Sequence, residues 1–464
     1  MIMVKIGVVG TGFVGLTHAA VTAMYGHNII GYDSNITKVE AFNSGEKFSI
    51  EKYVSEKNLA EIVKKQLDTK RLSFSSSPES LIDRELLFLC LPTPYKSNGE
   101  SDLSYFFQAA DTIASVLLKR DNQDFILFVD KSTVPIGTAR KLSNYLTSKG
   151  LTNFDVASNP EFLPEGDAVN SAIHSHKVVV GANCSESFKL LRRSYSNFVD
   201  NPGYIETNPE TAEAIKYASN GLLFSQIVAW LSIAGKIGEA FPEADFDVMK
   251  KGIIADKRIA EWGSYLSAGA GGSCFRKDAL STIFQLKSKG VESSYLELIN
   301  NINEHQKYYL IERAENEAAY NFNMKNIALL GTAFKQGTND MRESNVLEVV
   351  PRLLMRGVEE IRVYDPLALD EAKRIFDSNK NQNYSRLSFH NNVKDALMGT
   401  DVMYIATDHQ EFRSIGDAIL STTKNPYLII DGRRMISSDS VDDLISNGKS
   451  YLPIGGTFRQ GLIK

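Results

Sequence analysis

Residues 4–35, VKIGVVGTGFVGLTHAAVTAMYGHNIIGYDSN, decide the fold of this chain. A short apolar run predicts a buried strand, the middle of the stretch predicts an amphipathic helix that ends near Tyr25, and NIIGYD predicts a second strand. Between the first strand and the helix lie three glycines in the spacing G-x-G-x-x-G, namely Gly10, Gly12 and Gly15. The stretch therefore predicts a complete βαβ unit of the kind that binds a dinucleotide.

Asp33 stands at the end of the second predicted strand. It follows the glycines at the spacing of roughly twenty residues expected for the acid that binds the ribose 2′-hydroxyl of the adenosine half. Its negative charge would repel a 2′-phosphate, and no arginine directly follows it. These features predict NAD, and not NADP, as the cofactor.

The length and composition are those of a multidomain globular protein. The 464 residues are too many for one compact core, which predicts two or three domains. The net charge of −5, from 51 basic and 56 acidic residues, does not indicate binding to nucleic acid or to a membrane surface. The three cysteines have neither metal-ligand spacing nor a disulfide framework, so we expect no metal site and a reducing, cytoplasmic location.

Two segments bear on membrane targeting. The first residues read directly as a strand and lack the charged region of a signal peptide. Residues 217–235, YASNGLLFSQIVAWLSIAG, are uncharged and about long enough to span a bilayer. Because this segment contains several polar side chains and is closely bracketed by charges, we expect a buried helix and not a membrane span.

The pattern of apolar residues changes twice along the chain. Strands alternate with helices to about residue 205, long helical periodicity follows to about residue 320, and strand–helix alternation returns after Asn326. We therefore expect an α/β fold with two Rossmann-like parallel-sheet domains, joined by an all-helical domain with one long helix from about Pro209 to Phe241. The predicted domains are residues 1–205, 206–320 and 321–464.

Polar residues follow two apolar strands of the first predicted sheet. Thr93 ends one run, and Ser132 and Thr133 follow the next. Ligands of doubly wound sheets bind at the carboxyl ends of the strands, so these residues are candidate ligand contacts. Turn formation around the neighbouring prolines is the alternative.

The segment GAGGSCFRKD, residues 269–278, brings a cysteine into a charged cluster after a run of small residues. A structural cysteine prefers apolar surroundings, whereas a reactive one needs nearby cations and room for a substrate. Cys274 has surroundings of the second kind. Cys90 and Cys184 lie in apolar, strand-like runs and are expected in the core. Two nucleotide-type sheets further suggest NAD at the first and a nucleotide-linked substrate at the second.

Six motifs taken together resemble those of the UDP-glucose/GDP-mannose dehydrogenase family over nearly the full length. They are the N-terminal glycines, KSTVP (131–135), NPEFLPEG (159–166), KYASN (216–220), GGSCFRKD (271–278) and GTAFKQGTNDMRES (331–344). The cysteine motif resembles the branch that oxidises UDP-glucose, since the N-acetylhexosamine branch usually has a histidine beside the cysteine. The resemblance implies an NAD-dependent enzyme, at least dimeric, that makes UDP-glucuronate for surface polysaccharide.

The implied reaction oxidises a primary alcohol at sugar carbon 6 to a carboxylate and yields two NADH. The first step needs only a hydride acceptor and a base, but the aldehyde must add a nucleophile before it can lose a second hydride. A Cys274 thiolate would give a thiohemiacetal and then a thioester, which water hydrolyses. The glycines before it would let the loop approach the sugar closely.

The resemblance gives roles to five further residues. Lys216 and Asn220 lie four apart on one predicted helix face and resemble the pair that holds the developing oxyanion. Asp278 resembles the acid that works with a water near this lysine. Glu161 resembles the glutamate assigned to thioester hydrolysis, and Thr133 would help to position water. Taken alone, Lys216 would be a solvated helix lysine and Glu161 a helix-start acid.

The resemblance also implies the contacts of both ligands. The expected cofactor contacts are Gly10, Gly12, Phe13, Val14, Gly15, Asp33, Lys38, Thr93, Ser132, Glu165 and Arg342. The expected substrate contacts are Glu161, Phe162, Leu163, Glu165, Lys216, Asn220, Arg258, Tyr265, Gly269, Gly271, Phe275, Phe334, Lys335 and Arg433. Arg258 would reach the sugar of a neighbouring subunit, and Phe275 and Arg433 would lie near the nucleobase. A solvated side chain is the alternative for each basic residue.

The chain departs from the family pattern near the expected substrate site. Residues 47–59, KFSIEKYVSEKNL, lack the family's prolines, and Ala260 replaces a usual glycine. Gly263 stands where an aromatic is common, and Arg276 where proline is frequent. We therefore expect a reshaped sugar pocket, and GDP-mannose or a UDP-N-acetylhexosamine stays an alternative substrate. A two-electron hydroxyacid dehydrogenase and a non-catalytic sugar-nucleotide-binding protein are further alternatives.

Overall fold

The computed structural model describes residues 3–120, 124–378 and 384–462. The chain groups into two compact units. The N-terminal unit comprises residues 1–219 and 280–292, and the C-terminal unit comprises residues 220–279 and 293–464. The division into three domains at residues 205 and 320 stays a prediction.

The N-terminal unit is built on an eight-stranded sheet. Its strands are β1 (Lys5–Val9), β2 (Asn28–Tyr32), β3 (Leu72–Ser75), β4 (Leu86–Leu89), β5 (Ile126–Asp130), β6 (Phe154–Ser158), β7 (Val178–Gly181) and β8 (Tyr204–Thr207). They pair in the order β3-β2-β1-β4-β5-β6-β7-β8. The first six are parallel and have the strand order of dinucleotide-binding sheets, whereas β7 is antiparallel to β6 and parallel to β8.

Helices cover both faces of this sheet. They are α1 (Phe13–Met24), α2 (Ile36–Ser44), α3 (Lys47–Glu51), α4 (Leu59–Asp68), α5 (Ser104–Leu117), α6 (Thr138–Ser148), α7 (Ala168–Ile173) and α8 (Ser185–Ser194), with a 3₁₀ turn at Pro78–Leu81. Successive strand residues point to opposite faces, so Val8 lies in one apolar core and Val9 in the other. The near-continuous apolar strands are thus explained by burial on both sides.

The C-terminal unit contains a second, six-stranded sheet. Its strands are β9 (Asn326–Leu330), β10 (Glu360–Tyr364), β11 (Leu387–Phe389), β12 (Val402–Ile405), β13 (Tyr427–Asp431) and β14 (Lys449–Pro453). The order is β11-β10-β9-β12-β13-β14, and every pair is parallel. Counted from its own first strand, this sheet repeats the order of β1 to β6. The predicted fold class is confirmed.

The remaining helices follow the first sheet in sequence, some before the second sheet and some among its strands. They are α9 (Pro209–Trp230), α10 (Lys236–Ala240), α11 (Phe246–Ile254), α12 (Phe275–Ser288), α13 (Ser294–Gln306), α14 (Tyr309–Glu317), α15 (Val346–Met355), α16 (Leu369–Ser378), α17 (Val393–Leu397), α18 (Gly416–Thr422) and α19 (Ser438–Ser446). Short 3₁₀ turns occupy Tyr384–Arg386 and Gln410–Ser414. The middle of the chain is therefore helical, as the periodicity predicted.

The predicted long helix is present but is not a uniform α-helix. A π-helical turn at Leu231–Gly235 joins α9 to α10. In the described part of the chain, Pro209–Ala240 is the one helix that is long and apolar enough to cross a membrane. Phe224 and Ile227 are fully buried, whereas Leu222 and Ile233 are 72% and 64% exposed, so only one face of this helix packs inside the unit.

The two cysteines expected in the core differ from each other. Cys90 directly follows β4, and burial raises the pKa of its thiol to about 12, as suits an unreactive residue. The prediction that Cys184 lies in a strand is wrong, because the strand ends at Gly181. Cys184 instead directly precedes α8, and its Sγ lies 3.1 Å from the Ser187 hydroxyl. All three cysteines are free thiols.

Asp130 generates a prediction about pH and stability. It is fully buried at the end of β5, and burial, with the nearby charge of Glu213, raises the pKa of its carboxyl well above the ordinary value. A raised pKa means that the folded state holds a proton that the unfolded state has lost, so stability falls as the pH rises through that window. Asp130→Asn should remove this pH-dependent loss of unfolding free energy, which amounts to about 1.4 kcal/mol for each unit by which the pKa is raised.

The measurement is the thermal unfolding midpoint between pH 5 and pH 8. The midpoint of the native protein should fall more steeply than that of Asp130→Asn, with the exposed Asp200→Asn as a control that follows the native protein. Equal slopes for the native protein and Asp130→Asn would contradict the assignment.

Candidate active site

The glycine turn after β1 forms a tight cradle at the start of α1. Gly10 has φ +85, and its N–H donates to the Tyr32 carbonyl at 2.8 Å. A methyl group on Gly15 would lie 1.9 Å from the Gly10 carbonyl oxygen, so only glycine fits there. A methyl group on Gly12 would meet no atom within 4 Å in the described chain. The turn is thus closed on one side and open at Gly12, directly before Phe13 and Val14 of the first helical turn.

Asp33 lies beside this turn. Its Oδ2 accepts from the Thr11 N–H at 3.0 Å, the Thr11 hydroxyl at 2.8 Å and the Lys38 ammonium at 2.6 Å. Burial by itself would raise the pKa of Asp33, but Lys38 and Thr11 outweigh it and lower the pKa. Asp33 is therefore a carboxylate with its side chain 13% exposed, and it fits the ribose-binding acid of a dinucleotide site.

The ends of β4 and β5 are joined by side chains that the sequence marked as ligand contacts. The Thr93 hydroxyl donates to the Thr133 carbonyl at 2.8 Å. The Ser132 hydroxyl accepts from the Leu91 N–H and donates to the Leu91 carbonyl, both at 2.8 Å. These bonds fix the loops at the carboxyl edge of the sheet. Their contact with a cofactor stays a prediction.

A buried ion pair joins Glu161 to Lys216. The Lys216 Nζ lies 2.9 Å from Glu161 Oε1, while Oε2 accepts from the Leu163 N–H at 2.6 Å. Burial would raise the pKa of Glu161, but the charge of Lys216, the Leu163 N–H and the charge of Lys131 outweigh it and hold the pKa below its ordinary value. Glu161 is therefore a carboxylate able to take a proton. It lies in the loop after β6, so the alternative of a helix-start acid is wrong.

Aromatic and cationic groups surround this pair. The Phe162 ring lies 4.0 Å from the Lys177 Nζ and 5.2 Å from the Lys216 Nζ, measured to the ring centroid. Lys216 is 4% exposed, so the reading of a solvated helix lysine is wrong. Leu163 and Glu165 continue the same loop. Their contact with a substrate is not tested by the structure.

A second polar cluster lies around Asp278 in the C-terminal unit. Asn220, on the same helix as Lys216, donates to Asp278 Oδ2 at 2.6 Å. Lys277 donates to Asp278 Oδ1 at 2.6 Å. Asp278 is 1% exposed, whereas Cys274 is exposed and directly precedes the first residue of α12. The positive end of a helix favours a negatively charged sulfur, and the role of Cys274 as a nucleophile stays a prediction.

The loop that leads to Cys274 is held by bonds that sequence analysis did not find. The Asn303 side chain accepts from the Ala270 N–H at 2.6 Å and donates to the Ala270 carbonyl at 3.0 Å. The Gly272 N–H donates to the Arg342 carbonyl at 3.1 Å. Gly269 has φ +86, and a methyl group on Gly271 would lie 2.8 Å from the Glu343 carbonyl. The small residues are therefore required by close packing of this loop.

Arg276, the departure from the family pattern beside the cysteine, joins an ionic network. It lies 3.0 Å from Glu343 and 3.2 Å from Glu304, and Lys307 lies 2.7 Å and 2.9 Å from the same two acids. Glu343 has φ +55, and its pKa is lowered because the two cations outweigh the effect of burial. Glu304 and Lys307 are three residues apart and lie in none of the six motifs, and the motif 331–344 contains Glu343 without indicating its role, because Arg276 and Glu343 reach the other two residues from distant parts of the sequence.

Four of the expected substrate contacts lie together in the C-terminal unit, namely Tyr265, Phe334, Lys335 and Arg433. Arg433 donates to the Phe334 carbonyl at 2.6 Å and the Ala406 carbonyl at 3.0 Å. Burial raises the pKa of Tyr265, with Arg433 nearby as an opposing influence. The Lys335 Nζ lies 5.6 Å from the Phe334 ring centroid. The structure thus groups these four residues, and their ligand stays a prediction.

Three expected contacts have other surroundings here. Arg258 is 89% exposed and pairs with Asp256. Arg342 pairs with Asp340 at 2.6 Å. The Phe275 ring stacks on Phe224 at 6.0 Å. Their expected ligand roles stay predictions.

Gly263, where an aromatic is common, has φ +82, a conformation that a side chain would strain. The preceding residue is aromatic, and the Trp262 ring lies edge-on to Phe275 with ring centroids 6.3 Å apart. Among the described residues, no group of three or more histidines, cysteines and acids could hold a metal ion.

Models of one known protein family match most of this chain. Family models of the UDP-glucose/GDP-mannose dehydrogenase family match residues 4–199 (NAD binding domain), 210–305 (central domain) and 328–438 (UDP binding domain). The chain belongs to this family. As a member of the UDP-glucose/GDP-mannose dehydrogenase family it is an NAD-dependent nucleotide-sugar dehydrogenase. The predictions of family, enzyme class and NAD are confirmed.

Individual relatives of the family cover almost the whole chain. A UDP-glucose 6-dehydrogenase of Rickettsia bellii is 34% identical over 96% of this chain and 98% of its own. The structure of a UDP-glucose dehydrogenase from Pyrobaculum islandicum is 28% identical, with a TM-score of 0.86 and 98% of each chain covered. The structure of a UDP-D-ManNAc dehydrogenase from Pyrococcus horikoshii is 26% identical, with a TM-score of 0.79 over 97% of this chain and 99% of its own.

The glycine turn yields a matched pair of substitutions. Gly12→Ala should leave the unfolding midpoint unchanged, because the methyl group meets no protein atom, yet weaken NAD binding at least tenfold by filling the open side of the cradle. Gly15→Ala should instead destabilise the fold, because its methyl group would collide with the Gly10 carbonyl. Calorimetric NAD titration and thermal unfolding separate the two effects. Native NAD affinity in folded Gly12→Ala would contradict the assignment of the cradle.

Proposed function

We propose that this family member oxidises the carbon 6 hydroxymethyl group of UDP-glucose to a carboxylate, giving UDP-glucuronate and two NADH through a thioester at Cys274. The observation that supports this best is Cys274 itself, an exposed thiol outside any disulfide, directly before α12 and beside the buried Asn220–Asp278 pair. An alcohol dehydrogenase that stops at the aldehyde has no use for a thiol in that position.

Different residues of the chain would carry out different parts of the reaction. Asp33 and the Gly10–Gly15 turn would hold the adenosine ribose and phosphates of NAD, and each of the two oxidations would need one molecule of NAD as its hydride acceptor. Lys216 and Asn220 would stabilise the developing oxyanion, and Asp278 would hold Asn220 in place and take part in proton transfer through water. The Cys274 sulfur would add to the aldehyde carbon, and the resulting thiohemiacetal would lose a hydride to become a thioester.

Glu161 suits the final step, with Thr133 helping to place the water. Hydrolysis forms a bond from the water oxygen to the thioester carbon and breaks the carbon–sulfur bond. Glu161 would take one proton from the water, and the Cys274 sulfur would receive it, so no electrons are gained or lost. The lowered pKa keeps Glu161 unprotonated at the start of this step, as a base must be, and it also makes the carboxylate a weaker base.

A UDP-N-acetylhexosamine is the second candidate substrate. The similarity to the UDP-D-ManNAc dehydrogenase structure supports it, as does Gly263, which places hydrogen where the family often has an aromatic ring. UDP-glucose is favoured by the name of the Rickettsia bellii relative and by the form of the cysteine motif. GDP-mannose remains a third choice. Comparison of kcat/KM and product for the three sugar nucleotides decides among them.

The cellular location and the oligomeric state of the enzyme are part of the same proposal. The free thiols support action in the cytoplasm. The exposed apolar residues Leu222 and Ile233 on the long helix, and the exposed Arg258, support a homodimer or a higher homo-oligomer.

The thioester route predicts a fixed stoichiometry. With limiting UDP-glucose, the native enzyme should release two NADH per sugar, because the aldehyde is oxidised in a second step. Cys274→Ser should lose steady turnover by at least a hundredfold, since the serine hydroxyl is a poor nucleophile at neutral pH. The readout is NADH absorbance together with product identification.

Cys184→Ser is the control, because it removes a free thiol from the half-buried start of α8. It should release two NADH per sugar at the native rate. One NADH per sugar from the native enzyme would overturn the thioester route, and no NADH from UDP-glucose would move the assignment to another sugar nucleotide.

A further inference from the structure

A polar cavity of about 70 Å³ lies in the N-terminal unit beside Glu161. Its lining extends from the buried residues Asn159 and Glu161 to Asn197, which is exposed. It thus reaches from the protein surface to the carboxylate that the proposed function uses in hydrolysis. A space of this size accommodates several water molecules.

Polar groups along part of the wall suit water. The Lys131 ammonium donates to Asn159 Oδ1 at 2.9 Å and lies 3.3 Å from the Tyr195 hydroxyl. The Tyr195 hydroxyl donates to the same Asn159 oxygen at 2.5 Å, and the Asn159 amide donates to the Val179 carbonyl at 2.7 Å. Lys131 is thus a buried cation held by neutral partners, and burial lowers its pKa to about 8. A hydrated cavity would compensate part of its desolvation.

His18 gives a second, independent observation. It lines the cavity and is 7% exposed, and its Nε2 has no hydrogen-bond partner in the structure. Burial and the charge of Lys131 lower the pKa of His18 well below the ordinary value, so the ring is neutral. Buried polar atoms are nearly always satisfied by protein or by ordered water, which indicates that water binds in this cavity.

The proposed reaction consumes one water molecule, and only at its last step; the water through which Asp278 would pass protons is not consumed. Bulk water that reached the reacting carbon during the two oxidations would disturb them, so active sites of this kind exclude bulk water from the substrate side. Hydrolysis then requires a separate supply that ends at the base. We propose that the cavity between Asn197 and Glu161 is this supply, which stores water and delivers it to Glu161 for hydrolysis of the thioester.

This inference depends on the proposed function and goes beyond it by naming the path of a reactant. The step is the one written above: the water oxygen joins the acyl carbon, the carbon–sulfur bond breaks, and the water proton passes through Glu161 to the sulfur. The cavity adds no reagent besides water. Blocking the cavity should therefore slow hydrolysis of the thioester and leave the two hydride transfers unchanged.

The test fills the cavity at a distance from the base. Ala172, on α7, lines the cavity and is half-buried, so Ala172→Phe can extend into it. Asn170→Phe is the matched control, because Asn170 lies on the same helix, is exposed and does not line the cavity. Ser175→Leu narrows the same cavity from a residue outside any helix and replaces Ala172→Phe if that variant does not fold.

The expected result is a change in the rate-limiting step. The cavity variant should release a burst of two NADH per subunit at the native rate and then turn over at least tenfold more slowly. Acid-quenched protein should carry an acyl adduct on Cys274 in most subunits, as measured by intact mass and peptide mapping. Asn170→Phe should behave as the native enzyme, and KM for UDP-glucose should not rise in either variant.

Several outcomes would overturn the water route while leaving the proposed function intact. One is turnover of both cavity variants within twofold of Asn170→Phe with no adduct. Another is an equal loss of burst and steady rate, which would show that the cavity supports hydride transfer. A raised KM with a normal kcat would show that the cavity binds substrate. Failure of the proposed function is recognised separately, by a native enzyme that does not yield two NADH per sugar.

Discussion

Each sheet depends on one left-handed glycine after its first strand. Gly10 has φ +85 and donates to the Tyr32 carbonyl at 2.8 Å, and Gly331 has φ +86 and donates to the Tyr364 carbonyl at 2.8 Å. A methyl group at either position would collide with a neighbouring strand end, at Cys90 or Thr407. The sharp turn brings the following segment back over the sheet edge, where the next loops meet. Every candidate ligand contact at these edges depends on that turn.

A few charged groups are buried near the carboxyl edge of the sheet in the N-terminal unit, and the burial of each charge costs free energy. Glu161 and Lys216 offset each other at 2.9 Å, and Lys131 is held by Asn159 and Tyr195. Such a pair contributes little net stability, because desolvation consumes most of the attraction. Loss of one partner would leave an uncompensated buried charge. The arrangement is therefore better explained by chemistry than by folding.

The sequence was sufficient for the parts of the molecule that local pattern controls. The G-x-G-x-x-G spacing, the apolar strands and the helical middle predicted both sheets and the helix that ends at Ala240. The reversal of β7 and the π-helical turn at Leu231–Gly235 were not predictable, since packing against distant segments decides them. Cys184 shows the same limit, because the run KVVVGAN does not mark where its strand ends.

In the candidate site, too, local sequence indicated the main residues but not the residues that support them. Motifs singled out Glu161, Lys216, Asn220, Cys274 and Asp278, and the structure pairs Glu161 with Lys216 and Asn220 with Asp278. The supporting residues Asn303 and Tyr195 had no local signal, and the motif that contains Glu343 did not indicate its role, because each of the three acts on a partner more than thirty residues away in sequence.

The acid after the second strand distinguishes the two sheets. Asp365 occupies in the second sheet the place of Asp33 in the first, and its oxygens accept from the backbone N–H groups of Thr332, Ala333, Leu367 and Ala368. The His409 ring adds a further contact at 3.2 Å, and the Asp365 side chain is fully shielded from solvent. The Asp33 side chain is by contrast 13% exposed, so a ribose hydroxyl can reach the acid of the first sheet and not that of the second. The same acid position thus serves two purposes in one chain: it is open to a ligand in the first sheet and ties loops together in the second.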